Sequence, residues 1–121
     1  MRTLFLLAPI ALVLSGCAAP TLYKWGDYDQ GLYTSYKDAS KTEALLTQLE
    51  THISSMEKSK QKIAPGLYAE LGTLYLQSGS TAKAMAFYSQ ERDTWPESKF
   101  LMTAMIENLE RREKAKTESQ K

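Results

Sequence analysis

Cysteine and histidine are nearly absent from this sequence of 121 residues, which contains one of each, Cys17 and His52. With one cysteine, no disulfide can form within the chain, and there is no cluster of cysteine and histidine that could hold a zinc ion. Glycine-rich phosphate-binding loops are also missing. The sequence therefore predicts no metal and no cofactor, and His52 is expected to pack or to lie partly exposed on a helix.

An excess of charge of either sign is missing as well, because 15 basic residues stand against 14 acidic ones. Proteins that bind nucleic acid usually carry a surplus of lysine and arginine that neutralises phosphate groups. The balance therefore predicts no nucleic-acid partner. It also gives no electrostatic reason for binding to anionic lipid.

The sequence also lacks a hydrophobic run long enough to span a membrane. Arg2 precedes an apolar run over residues 4–14, whereas about 18 apolar residues are needed to span a bilayer. A basic residue before a short apolar run is typical of a secretory signal peptide. The next residues, Leu14-Ser15-Gly16-Cys17, resemble a bacterial lipobox. The resemblance implies that the signal peptide covers residues 1–16 and that acyl chains on Cys17 attach the protein to a membrane.

Two alternatives to the lipobox remain open at this point. The segment could be an ordinary signal peptide with an incidental cysteine, or Cys17 could be a buried free cysteine. In lipoproteins of this type an aspartate after the cysteine favours retention in the inner membrane, and Ala18 stands there instead. The resemblance therefore implies anchoring at the periplasmic face of the bacterial outer membrane.

Apolar residues at three- and four-residue steps predict an all-α fold of about four helices, with a further short helix at its start. Their expected ranges are 29–37, 40–62, 65–77, 81–93 and from about 97 onwards. Ser40 and Glu43 have the spacing of a capping box, which would start the second of these. The helical domain should cover residues 39–113, between a lipid-anchored, aromatic-rich segment at 17–38 and a charged, flexible tail at 114–121.

Residues 65–98 resemble one tetratricopeptide repeat, a helix-turn-helix unit. The residues that match are Tyr68, Leu71, Gly72, Tyr75, Gly79, Ala84, Tyr88 and Pro96. The resemblance implies a tetratricopeptide-like hairpin whose helices approach most closely at Gly72 and Ala84. Glu91 departs from the pattern, which prefers a small apolar residue there, and we expect it to weaken packing against a following unit. The last helix is expected to cap the array.

The chain as a whole resembles the domain of unknown function 4810 family of small bacterial lipoproteins. The segments that carry this resemblance, besides the lipobox, are residues 23–28, 32–33, 36–37, 65–72 and 88–98. Members are typically encoded beside a lipoprotein similar to the curli secretion channel. The resemblance implies that this chain is an accessory of such an envelope complex.

Ser80-Thr81-Ala82-Lys83 matches the nucleophile motif of penicillin-binding enzymes, which would favour a secreted hydrolase or a cell-wall-remodelling enzyme. Residues 55–58 and 59–62 match the motif equally well, and the companion motifs Ser-Asp-Asn and Lys-Thr-Gly are absent. The match is therefore unspecific. We predict a non-catalytic adaptor or assembly factor that binds another envelope protein.

Candidate contact residues lie on the first helix of the repeat, which should line the concave surface: Glu70, Thr73, Leu74 and Gln77. Trp25, in the aromatic stretch at residues 22–38, is a fifth candidate. This stretch either packs over the repeat or leaves Trp25 and some tyrosines exposed to the membrane interface or to another protein. Both of those environments favour amphipathic rings.

Overall fold

A computed structural model of the protein describes residues 21–120, so the predictions on the signal peptide, Cys17 and Ala18 fall outside the described residues. Those residues form α-helices and short 3-10 helices, with no β-strand among them, and the predicted all-α fold is confirmed. The α-helices are α1 (Tyr28–Lys37), α2 (Thr42–Lys58), α3 (Leu67–Gln77), α4 (Thr81–Thr94) and α5 (Lys99–Ser119), and the 3-10 helices are Ala39–Lys41 and Pro96–Ser98. None of these helices combines the length and the apolar character needed to cross a bilayer.

Helix α2 buries one apolar stripe, as its periodicity predicts. Its buried residues are Leu45, Leu49, Ile53 and Met56. Each stands three or four residues from the next, so all of them face the same side of the helix. This stripe forms one wall of the core that α3, α4 and α5 complete.

The start and the end of α2 both differ from the prediction. The Asp38 carboxylate accepts the backbone N–H of Ser40 at 3.0 Å and its hydroxyl at 2.7 Å. Asp38 therefore caps the 3-10 helix that precedes α2, and the predicted capping box of Ser40 and Glu43 is wrong. The helix ends at Lys58 rather than near residue 62, and Lys60 adopts a positive φ of 54° just beyond it.

Helices α3 and α4 form a tight hairpin around Gly79, whose φ of 84° suits glycine. The predicted close approach is confirmed at Gly72. A methyl group added there would meet the Tyr88 ring at 2.8 Å and the Ala84 carbonyl oxygen at 3.1 Å. An alanine at this position would therefore force the Tyr88 ring to shift. Tyr88 and Ala84 themselves are fully buried.

Helix α5 packs on α4 through Met102, Ile106 and Leu109. It then continues to Ser119, so residues 114–119 of the predicted charged, flexible tail are helical. Lysine, glutamate and alanine have high helix propensity, which sustains the helix after apolar contacts end. The Lys116 ammonium also binds the Glu113 carboxylate at 2.9 Å.

The short helix α1 covers the domain less completely than its spacing predicted. Tyr28 is half-buried and packs against the core, but α1 contains no fully buried residue. Leu32 and Tyr36, which continue the four-residue spacing, are exposed to 40% and 90%. The predicted apolar side of α1 therefore remains largely open.

Candidate functional site

The four contact residues predicted on α3 differ in exposure. Gln77 is exposed, and Glu70 is half-buried. Leu74 is only 4% exposed and belongs to the core, so its assignment as a contact residue is wrong. The Thr73 hydroxyl is half-buried and is satisfied internally, at 3.0 Å from both the Ala69 carbonyl and the Tyr88 hydroxyl. Helical periodicity identified this side of α3 but not the neighbours that cover part of it.

The first residue of α1 approaches α3. The Glu70 carboxylate lies beside the Tyr28 hydroxyl. At the other end of α3, Gln77 lines a groove of about 690 Å³ together with Ala39 and Ser40, which follow α1, and with Leu46 of α2. Glu70 therefore contacts α1, whereas Gln77 faces the segment that joins α1 to α2.

Partial burial changes the acidity of the pair formed by Glu70 and Tyr28. Desolvation raises the pKa of Glu70 above 4.5, and a hydrogen bond with Tyr28 opposes part of this rise. Desolvation is also the main cause that raises the pKa of Tyr28 above 10.0, and the nearby carboxylate adds to it. The pair is thus a polar contact that has lost part of its hydration.

An exposed apolar stripe runs along α1 and consists of Leu32, Tyr33 and Tyr36. Tyr33 is 56% exposed, and the Lys37 ammonium lies 4.7 Å from the centre of its ring. Aromatic rings of this kind bury a large area at small entropic cost when they enter an interface. We refer to these three residues as the α1 stripe.

The aromatic segment before α1 packs on the domain in part, and Trp25 stays partly exposed. The Tyr23 ring meets the Trp95 ring edge to face at a centroid distance of 5.5 Å. The His52 Nε2 atom lies 3.0 Å from the carbonyl oxygen of Lys24, which holds the segment on α2. Trp25 is 41% exposed and lines a groove together with His52 of α2. The contact residues predicted on α3 do not line this groove.

A groove of about 860 Å³ lies between α2 and α4, and the sequence analysis missed it. The Phe87 ring stacks on the Tyr75 ring at 5.5 Å. The hydroxyls of Tyr68 and Tyr75 donate hydrogen bonds to the carboxylates of Glu57 and Glu50. Burial is the largest cause that raises the pKa of both tyrosines, and these hydrogen bonds are the next largest. The pKa of Tyr75 is raised to about 12.

A spacing rule could have revealed these two hydrogen bonds. Glu50 and Glu57 are seven residues apart on α2, as are Tyr68 and Tyr75 on α3. Seven residues complete nearly two helical turns, so each pair lies on one side of its helix. Because α2 and α3 pack antiparallel, Glu50 then meets Tyr75 and Glu57 meets Tyr68.

Two further predictions concern the enzyme motif at Ser80 and the absence of a metal site, and the structure gives the positions of the side chains involved. The Lys83 ammonium, which would assist Ser80 in a penicillin-binding enzyme, lies 4.5 Å from the centre of the Tyr75 ring. Its charge therefore faces the aromatic ring in a cation–π contact. Within residues 21–120, no three side chains of histidine, cysteine, aspartate or glutamate are grouped to share a metal ion.

Comparison with known proteins gives one match. Searches of curated proteins and of solved structures find nothing similar to this chain. Residues 22–105 match a family described as "Domain of unknown function (DUF4810)". This range includes the aromatic segment, the α3–α4 hairpin and the start of α5, which is more than half of the chain. The protein therefore belongs to the DUF4810 family.

Proposed function

We propose that the protein is a non-catalytic adaptor or assembly factor of the bacterial envelope, with a tetratricopeptide-like helical domain. In this proposal, acyl chains on Cys17 anchor it to the periplasmic face of the outer membrane. The domain binds another envelope protein through the α1 stripe and the accessible residues of α3, Glu70 and Gln77. Its family resemblance makes a lipoprotein similar to the curli secretion channel the first candidate partner.

The observation that carries this proposal is the exposure of Tyr36, which is 90% exposed to solvent. It lies on α1, a helix that contains no fully buried residue. Isolated helices as short as α1 are marginal in water and depend on packing. Here the packing leaves an apolar stripe uncovered. A partner that covers the stripe would bury two tyrosine rings and a leucine, and would stabilise α1.

The polar candidates on α3 suit the edge of such an interface. Glu70 is partly desolvated already, so covering it further costs less hydration than covering a fully exposed carboxylate. Gln77 is exposed and offers both a donor and an acceptor. An apolar centre with a polar rim is the usual organisation of protein interfaces.

The decisive experiment is recovery of the lipidated full-length protein, with its bound partners, from detergent-solubilised envelopes. Wild type should recover an envelope protein that the double variant Tyr33→Ser/Tyr36→Ser loses. The double variant Glu110→Ser/Arg111→Ser changes two exposed residues of α5 that belong to neither the α1 stripe nor the core and should retain the partner. Equal recovery with all three proteins, or no specific partner with wild type, would contradict the proposed interface.

Two further measurements test the remaining parts of the proposal. Cys17→Ala should move the protein from the outer-membrane fraction to the soluble periplasmic fraction. Labelling with a fluorescent penicillin tests the alternative of a secreted hydrolase or cell-wall-remodelling enzyme. Covalent labelling that Ser80→Ala abolishes would contradict the non-catalytic role.

A further inference from the structure

Four contacts gather distant parts of the chain at one end of the helical domain. The edge-to-face contact of Tyr23 with Trp95 places the N-terminal segment against the end of α4. The Lys62 ammonium, in the loop between α2 and α3, lies 3.9 Å from the centre of the same Trp95 ring. The Glu91 carboxylate accepts the backbone N–H of Gly66 at 2.8 Å and the hydroxyl of Ser98 at 3.0 Å. We call this end of the domain the anchor end.

Large apolar side chains are exposed at the anchor end. Leu22 in the N-terminal segment is 83% exposed, and Phe100 in the first turn of α5 is 88% exposed. Leu101 and Trp25 add further accessible surface. The contact between Tyr23 and Trp95 places the segment that contains Leu22 and Trp25 near the start of α5. These four residues are the anchor-end apolar residues.

Exposed lysines accompany this apolar surface: Lys24, Lys58, Lys60, Lys62 and Lys99. The acidic residues nearby are fewer and partly engaged. Asp93 forms a salt bridge of 3.0 Å with Arg92. Glu57 accepts the Tyr68 hydroxyl but keeps its charge, as do Asp27 and Glu97. Glu91 is buried, so five exposed lysines stand against three exposed carboxylates without a cationic partner in the part of the chain that the structure describes, those of Asp27, Glu57 and Glu97, and the exposed surface has a small excess of positive charge.

We propose that the anchor end lies directly on an anionic lipid surface, with Leu22, Trp25, Phe100 and Leu101 inserted at the headgroup level. Apolar and aromatic side chains surrounded by lysine are the composition that binds such interfaces, because lysine pairs with lipid phosphate while its stem lies along the apolar layer. The surface is thus a lipid-docking site that orients the domain.

Chain length supports a lipid surface rather than a protein as the occupant. This step rests on the lipidation of Cys17 in the proposed function. Leu22 stands five positions after Cys17, and a fully extended chain advances at most about 3.5 Å per residue. The anchor end is therefore held within about 20 Å of the acylated bilayer, where the lysines and apolar residues can reach it.

Lipid docking would also leave the α1 stripe free for a protein. Tyr28 begins α1 near the anchor end, and Tyr36 lies eight residues further along the helix. A rise of 1.5 Å per residue places Tyr36 about 12 Å beyond Tyr28 along the helix axis. The same orientation thus places the protein-binding surface away from the lipid.

The presence of only two tryptophans permits a direct test. The lipidated full-length protein is placed in vesicles of phosphatidylethanolamine and phosphatidylglycerol with brominated acyl chains, which quench nearby tryptophan fluorescence. We expect strong quenching, and Trp25→Phe should remove the larger part of it because Trp95 is buried. Phe100→Ser/Leu101→Ser should lose most of the quenching, whereas Tyr36→Ser should retain it.

Flotation of the vesicles separates failure of the docking site from failure of the proposed function. Protein that floats with the vesicles without quenching of Trp25 would be anchored but not docked, which overturns lipid docking alone. Protein that does not float would overturn both the lipid anchor and the docking.

Quenching together with the absence of any envelope partner would support docking and contradict the adaptor role. Loss of the partner in Phe100→Ser/Leu101→Ser, without quenching in wild type, would assign this surface to a protein instead.

Discussion

The carboxylate of Glu91 accepts the backbone N–H of Gly66, 25 residues earlier in the chain, at 2.8 Å. The same oxygen accepts the hydroxyl of Ser98, and the side chain is only 1% exposed. Glu91 therefore joins the start of α3 to the segment before α5. We predicted that a glutamate here weakens packing against a following unit, and this stays a prediction; its Oε1 atom links to the segment that leads into α5.

Replacing Glu91 by alanine should lower the free energy of unfolding by about 2–3 kcal/mol, because two hydrogen bonds to a charged group are lost and the Gly66 N–H is left without a partner. Glu91→Gln retains an acceptor oxygen and should cost about 1 kcal/mol or less. Urea unfolding followed by circular dichroism measures both. Equal losses for the two variants would show that charge, rather than these hydrogen bonds, is what matters.

Replacing Gly72 by alanine should destabilise the protein despite the better helix propensity of alanine. The new methyl group would meet the Tyr88 ring at 2.8 Å, and overpacking of this kind costs about 1–3 kcal/mol. Alanine gains about 1 kcal/mol of helix propensity, so we expect a net loss of about 1 kcal/mol. Ala86→Gly, at an exposed position of α4, measures the propensity effect alone. A stabilised Gly72→Ala variant would contradict the close approach of α3 and α4.

Glu70 should make folding less favourable as pH rises. Its pKa is raised in the folded protein, so the folded state binds the proton more tightly than the unfolded chain does. The stability from this group is therefore fully present below pH 4.5 and is lost as pH rises through the higher folded pKa. Glu70→Gln should flatten the pH dependence of unfolding in this window. Glu110→Gln, at an exposed position, serves as the control and should leave the Glu70 contribution intact.

The hydrogen bond from Tyr75 to Glu50 should couple α2 to α3. A double-mutant cycle with Tyr75→Phe and Glu50→Gln should give a coupling of about 1 kcal/mol, the ordinary net value of one hydrogen bond. The raised pKa of Tyr75 means that its contribution is present below pH 10 and is lost as pH rises through about 12. Additive effects of the two substitutions would show that the bond contributes nothing to stability.

Removal of residues 114–121 tests the length of α5. The far-UV circular dichroism signal of helix should fall in proportion to the helical residues removed, because α5 extends to Ser119. The midpoint of urea unfolding should change little, since the last buried residue of α5 is Leu109. An unchanged helical signal would restore the prediction of an irregular tail.

Local sequence determined where the helices lie and how the α3–α4 hairpin closes. Apolar spacing identified the buried stripe of α2, and Gly72 with Ala84 identified the closest approach of two helices. These features depend on residues within one or two adjacent elements. Short-range periodicity and side-chain volume are therefore sufficient to predict them.

Only the tertiary structure decided which surfaces remain open and where charge collects. Leu74 lies on the predicted side of α3 but is covered by its neighbours, whereas Tyr36 continues the apolar spacing of α1 and is left exposed. Lys62, 33 residues before Trp95 in the sequence, lies 3.9 Å from the centre of the Trp95 ring. Periodicity describes one helix at a time, while exposure and local charge depend on which other helices pack against it.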